Sequence, residues 1–85
     1  MSRDEQVFAL IEEITGEPAV RRDLDVALFE LQLLDSLRTV MLLAALNERI
    51  GTDISLSEID RAEWATPRRV ASFVDRWIAE RRVAT

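Results

Sequence analysis

Residues 37–46 read Leu-Arg-Thr-Val-Met-Leu-Leu-Ala-Ala-Leu, and a helix through them is apolar on nearly every side. A helix lying on a protein surface needs an apolar stripe of only about 100°. This helix, central in the order of the chain, carries more than that. Asp35 fits its N-cap, because a carboxylate there accepts a hydrogen bond from a first-turn amide, and Gly51 fits the left-handed residue just past its end. The spacing predicts a helix over about residues 36–50. If Thr39, Leu42, Leu43, Leu46 and Ile50 turn inward, then Leu37, Val40, Met41 and Ala44 are left outside. Apolar residues left over after a core face is assigned mark a binding face.

The other segments are read around this helix. Ser2 and Glu5 have capping-box spacing, Val7, Leu10, Ile11 and Ile14 repeat at helical intervals, and Thr15-Gly16 supplies a stop. A first helix over about residues 3–15 follows. Residues 17–34 form a long connection containing Pro18. Structureless connections of that length are uncommon, so Leu28 and Phe29 are expected to pin it to the core within a single short helical turn. Ser55 and Glu58 repeat the capping-box spacing and open a short third helix over about residues 56–63, anchored by Ile59 and Trp64. Thr66-Pro67 opens the last helix, with Val70, Phe73, Val74, Trp77 and Ile78 as its stripe and both tryptophans as core anchors. The expected fold is all-α, a small four-helix bundle with a long first loop and a short third helix, forming one domain over residues 1–85.

Composition narrows the chemistry. The 85 residues include no His, Cys, Lys or Tyr. The usual base near neutral pH, the soft nucleophile, the Schiff-base amine and the commonest transition-metal ligand are therefore missing, and a self-sufficient enzyme is not expected. The formal net charge is −5. Residues 1–60 hold 13 acids against 5 arginines, and residues 61–85 hold 3 acids against 6 arginines. An acidic body disfavours nucleic acid and anionic membrane and favours basic protein surfaces. The arginines towards the C-terminus are expected to line a solvated helix face, with Arg61 capping a helix end or pairing with the neighbours of Asp60 rather than binding phosphate. No apolar run approaches a bilayer span, and the start lacks a signal peptide's apolar segment, so a cytoplasmic monomer without direct membrane insertion is expected.

Ser36 stands where the acidic connection becomes the central helix. A phosphate is well tolerated there, because the helix dipole and unbonded amides favour an anion. A phosphate on that serine suggests a covalently attached prosthetic arm. By themselves, however, Asp35 and Ser36 also read as nothing more than a helix cap.

A second segment separates the two readings. Leu33-Leu34-Asp35-Ser36 with Thr39-Val40 behind it, and Glu58-Ile59-Asp60-Arg61-Ala62-Glu63-Trp64-Ala65-Thr66-Pro67, together resemble the D-alanyl carrier proteins of teichoic-acid alanylation, within the acyl and peptidyl carrier superfamily. The second segment matches that family's Glu-aromatic-Asp-Arg-x-x-Trp-x-Thr-Pro stretch at most fixed positions. The chain departs at two places. Gln32 stands where these carriers have glycine, and the central helix has Arg38 and Met41 near its start, with Glu48 its only acid.

The resemblance implies 4′-phosphopantetheine attached to Ser36 by a phosphopantetheinyl transferase that uses coenzyme A and Mg²⁺, with Asp35 adding to that enzyme's metal site. It implies an ATP-dependent aminoacyl or acyl ligase that loads D-alanine as a thioester, and a downstream acceptor enzyme in cell-wall biogenesis. Recognition by the transferase and other partners would fall on Asp35, Leu37, Arg38, Val40, Met41 and Ala44. No metal ligand or catalytic residue is expected. Two alternatives stay open: an acyl or peptidyl carrier of fatty-acid, polyketide or nonribosomal-peptide synthesis, and an unmodified helical adaptor.

Overall fold

The computed structural model describes residues 2–83, and the elements within them are helical. Helix α1 spans Arg3–Thr15, with the Glu5 amide donating to Ser2 Oγ at 3.2 Å, and ends at Gly16 in the left-handed conformation. Helix α3 spans Ser36–Ile50 and ends the same way at Gly51. Helix α4 spans Pro67–Val83, with Thr66 Oγ1 accepting from the Arg69 amide at 3.2 Å. The bounds read from capping residues and periodicity are those observed. Among the described residues no helix is long and apolar enough to cross a membrane.

The core joins Val7, Leu10 and Ile11 of α1, Leu42, Leu43 and Leu46 of α3, and Val70, Phe73 and Val74 of α4. Burying each such side chain contributes about 1.5–3 kcal/mol, which offsets the ordering cost in a domain this small. Trp64 is fully buried and meets Phe73 edge to face, with ring centroids 6.1 Å apart. Trp77, the other expected anchor, is only half-buried and carries Arg81 over its ring at 4.3 Å.

Two segments differ from expectation. The connection holds a short helix, α2, over Ala19–Arg22, which buries Val20 completely. Glu17 starts it, its Oε2 accepting from the Ala19 amide at 3.1 Å. A hydrogen-bonded turn then follows over residues 27–33, as Leu28 and Phe29 led us to expect, with Leu28 fully buried. The connection is fastened to the start of α4: Leu28 N donates to Ala65 O at 2.9 Å and Arg68 N to Leu24 O at 2.9 Å. Arg68 also grips Asp25 through both carboxylate oxygens, at 2.9 and 3.3 Å.

The second difference is the third helix. In place of one helix over residues 56–63 there are two 3₁₀ turns, Leu56–Glu58 and Arg61–Trp64, with Ile59 and Asp60 extended between them. Two caps compete over this short stretch. Ser55 and Glu58 close one capping box, and Asp60 Oδ1 accepts from Ala62 N at 3.2 Å to begin another turn. A residue serving as N-cap takes extended dihedrals and interrupts the helix before it.

Candidate functional site: the start of helix α3

The approach to Ser36 is set by the turn before it. Gln32 N donates to Phe29 O at 3.0 Å, and Leu33 N to Leu28 O at 2.8 Å. This pair of bonds is the Schellman pattern that ends a helical turn, with a left-handed residue at its pivot. Gln32 is that residue, at φ +60°. A left-handed turn is thus made here by a residue that fits it less well than glycine would. Leu34 is thereby driven into the core, its own amide also reaching Leu28 O at 3.0 Å. The chain then extends through Asp35 into α3.

Asp35 is the N-cap. Its Oδ1 accepts from the Arg38 amide at 2.8 Å, and its Oδ2 lies 3.8 Å from the Arg38 guanidinium. Ser36, first residue of the helix, is exposed. Its amide and that of Leu37 have no acceptor within the helix, so the end of α3 presents donors and a positive dipole beside the serine oxygen.

The two faces of α3 are the ones its sequence divides. Thr39, Leu42, Leu43 and Leu46 are buried and Ile50 is half-buried, whereas Leu37, Val40, Met41 and Ala44 are exposed. Leu37 is 68 % exposed and Met41 44 %, which places both outside the core. Leu56, on the first 3₁₀ turn, is also an exposed large apolar residue.

Beside Ser36 lies an open groove of about 750 Å³, a volume usual for small-molecule sites. One wall is Asp35, Ser36, Arg38, Thr39 and Val40 of α3, and the other is Leu56, Ile59 and Arg61. Phe29, Gln32 and Leu34 of the connection also line it. Arg61 departs from expectation. It neither caps a helix nor pairs beside Asp60. Its guanidinium lies 4.6 Å from the centre of the Phe29 ring, because Phe29 offers an aromatic face where the 3₁₀ segment passes the connection.

Asn47 has a role the sequence did not signal. Its Oδ1 accepts from Thr52 Oγ1 at 2.8 Å and Ile54 N at 2.9 Å, while its Nδ2 donates to Ile54 O at 3.0 Å. These bonds fold the chain after Gly51 back against α3 and so position the far wall of the groove. Asn47 opens the polar run Asn47-Glu48-Arg49 near the end of α3, and nothing in that run shows which backbone its side chain will satisfy.

The chain is thus a small helical bundle with an exposed serine at a capped helix start, beside an open groove with apolar and cationic walls. The family described as the phosphopantetheine attachment site matches residues 5–74. The D-alanyl carrier protein of Lacticaseibacillus rhamnosus is 42% identical over 69 residues, covering 81% of this chain and 85% of that protein. That of Bacillus cereus is 46% identical over 66 residues, covering 78% and 84% respectively. The chain belongs to the D-alanyl carrier protein family, within the proteins that bear covalent 4′-phosphopantetheine.

Proposed function

We propose that Ser36 is the attachment residue for 4′-phosphopantetheine and that the chain carries D-alanine, as the names of its relatives say of them. The observation that carries the assignment is the exposed Ser36 hydroxyl at the dipole end of α3, opening on the groove. The residues present suit such an arm. Unbonded amides and the two groove arginines would hold its phosphodiester, and Val40, Leu56 and Ile59 would line its aliphatic portion. When bound, the group supplies the thiol that this cysteine-free chain lacks. In this reading the chain's own residues position and present that group, and its partners catalyse the steps.

Asp35 has two parts in this reading: it fixes the start of α3, and it offers one exposed carboxylate edge to the transferase. Leu37, Val40, Met41 and Ala44 form the partner face, small enough for partners that bind and leave. Arg38 stands on that face, so the complementary surface on a partner carries an acid near its apolar centre. The transferase, the ATP-dependent ligase and the acceptor enzyme dock here in turn on a single-domain monomer in the cytoplasm.

The test is loading. The modified protein, incubated with ATP, a D-alanine-activating ligase of this family and either D- or L-alanine, gains one alanyl mass with the D form, and Ser36→Ala gains none. Loading by a fatty-acid or L-amino-acid ligase, with none from D-alanine, overturns the cargo assignment. Equal loading of Ser36→Ala overturns the site.

A further inference from the structure

The charges around the groove are unevenly matched. Asp35 is engaged with Arg38 through both backbone and guanidinium. Arg68, Arg76 and Arg81 elsewhere in the same part of the chain each hold a carboxylate. Arg61 has no carboxylate within 4.0 Å among the described residues, yet its guanidinium is held over Phe29 at 4.6 Å and borders the groove. The groove rim thus carries Asp35 against Arg38 and Arg61, a local excess of one positive charge on a chain of net charge −5. A phosphodiester bears one negative charge.

We infer that Arg61 is a phosphate-binding residue of the carrier itself. It receives the phosphodiester attached at Ser36 and sets the arm's first atoms along the groove between α3 and the 3₁₀ turns. This rests on Ser36 being the attachment residue. Three features favour Arg61 for the task. A planar guanidinium presents a fork of donors that matches phosphate oxygens. Stacking on Phe29 fixes that fork in advance, so less side-chain entropy is lost on binding. The groove walls beyond it, Leu56 and Ile59, are apolar and suit the methyl groups that follow the phosphate in pantetheine.

The experiment compares thermal unfolding of unmodified and modified protein, each confirmed by intact mass, for wild type, Arg61→Gln, Arg61→Lys and Arg76→Gln. Modification raises the wild-type midpoint by about 2–5 °C at low salt, and the gain shrinks at high salt. Arg61→Gln loses the gain, Arg61→Lys keeps part of it, and Arg76→Gln changes both forms alike and leaves the gain intact. In NMR spectra the Arg61 Nε–H resonance moves on modification of the wild type. Fully modified protein with the same gain in wild type and Arg61→Gln, or with an unmoved Arg61 Nε–H, overturns the inference while leaving Ser36 as the attachment residue. Failure of the wild type to accept any modification overturns both.

Discussion

Replacing Gln32 by glycine should stabilise this protein, a rare direction for a substitution to glycine. A non-glycine residue in the left-handed region costs about 1–2 kcal/mol, because Cβ crowds the following carbonyl. At φ +60° Gln32 bears that cost, and its turn cannot relax without losing the amide bonds from Gln32 to Phe29 and from Leu33 and Leu34 to Leu28. Glycine removes the crowding but gives the unfolded chain more freedom, which takes back about 0.4–1 kcal/mol. The net gain is about 0.5–1 kcal/mol, or about 3–6 °C in the unfolding midpoint for a domain of this size. Gln32→Asn should fall between the two, since asparagine tolerates the left-handed region. Gln32→Val should lose on the order of 1–2 kcal/mol, since a β-branched residue tolerates it least. Urea and thermal unfolding of the four proteins by circular dichroism gives the order Gly, Asn, Gln, Val. Glycine no more stable than glutamine, with valine equal to both, would refute the left-handed turn and with it the path that delivers Leu34 to the core and Asp35 to the helix start.

Other substitutions test other joints. Asn47→Ala strands the amide and carbonyl of buried Ile54 and the hydroxyl of buried Thr52, and urea unfolding should show a loss of about 2–3 kcal/mol. Thr39 Oγ1 is buried without a hydrogen-bond partner, so the similarly shaped Thr39→Val should gain about 1 kcal/mol in the same assay, whereas a loss would show the hydroxyl to be satisfied. The hydrogen bond from Arg68 holds the Asp25 carboxyl below its ordinary value. Its contribution is therefore complete above the unfolded value, about pH 4, and is lost as pH falls through the lower folded value. Stability measured against pH should fall less steeply in acid for Asp25→Asn. Asp4 has the opposite sign, because desolvation, followed by the neighbouring Asp75, raises its carboxyl, so its ionisation costs the folded state as pH rises.

What the sequence discloses depends on whether the responsible interactions are local. Asp35, Gly51, Thr66 and Gly16 act within a turn of the helix ends they set, so α1 and α3 could be bounded, and the start of α4 placed, from composition and spacing. The two faces of α3 followed from its 3.6-residue period, and with them the exposure of Leu37, Val40, Met41 and Ala44. Interactions across the chain stayed hidden. Val20 makes a four-residue helix worth forming only because α1 and the core lie beneath it. The third helix split because the caps at Ser55 and Asp60 were each legible but their competition was not. Arg61 pairs with an aromatic ring 32 positions earlier, a separation no periodicity reveals. Gln32 shows the reverse case: its residue type argues against a left-handed turn, and the packing of Leu28 and Leu34 enforces one.

The reactivity of one serine oxygen decides whether this chain is a carrier. Wild-type protein and Ser36→Ala, each incubated with coenzyme A, Mg²⁺ and a broad-specificity phosphopantetheinyl transferase, are weighed intact by mass spectrometry. One added phosphopantetheine is expected on the wild type, localised to the peptide containing Ser36, and none on the variant. An unmodified wild type, or the same addition to Ser36→Ala, contradicts it.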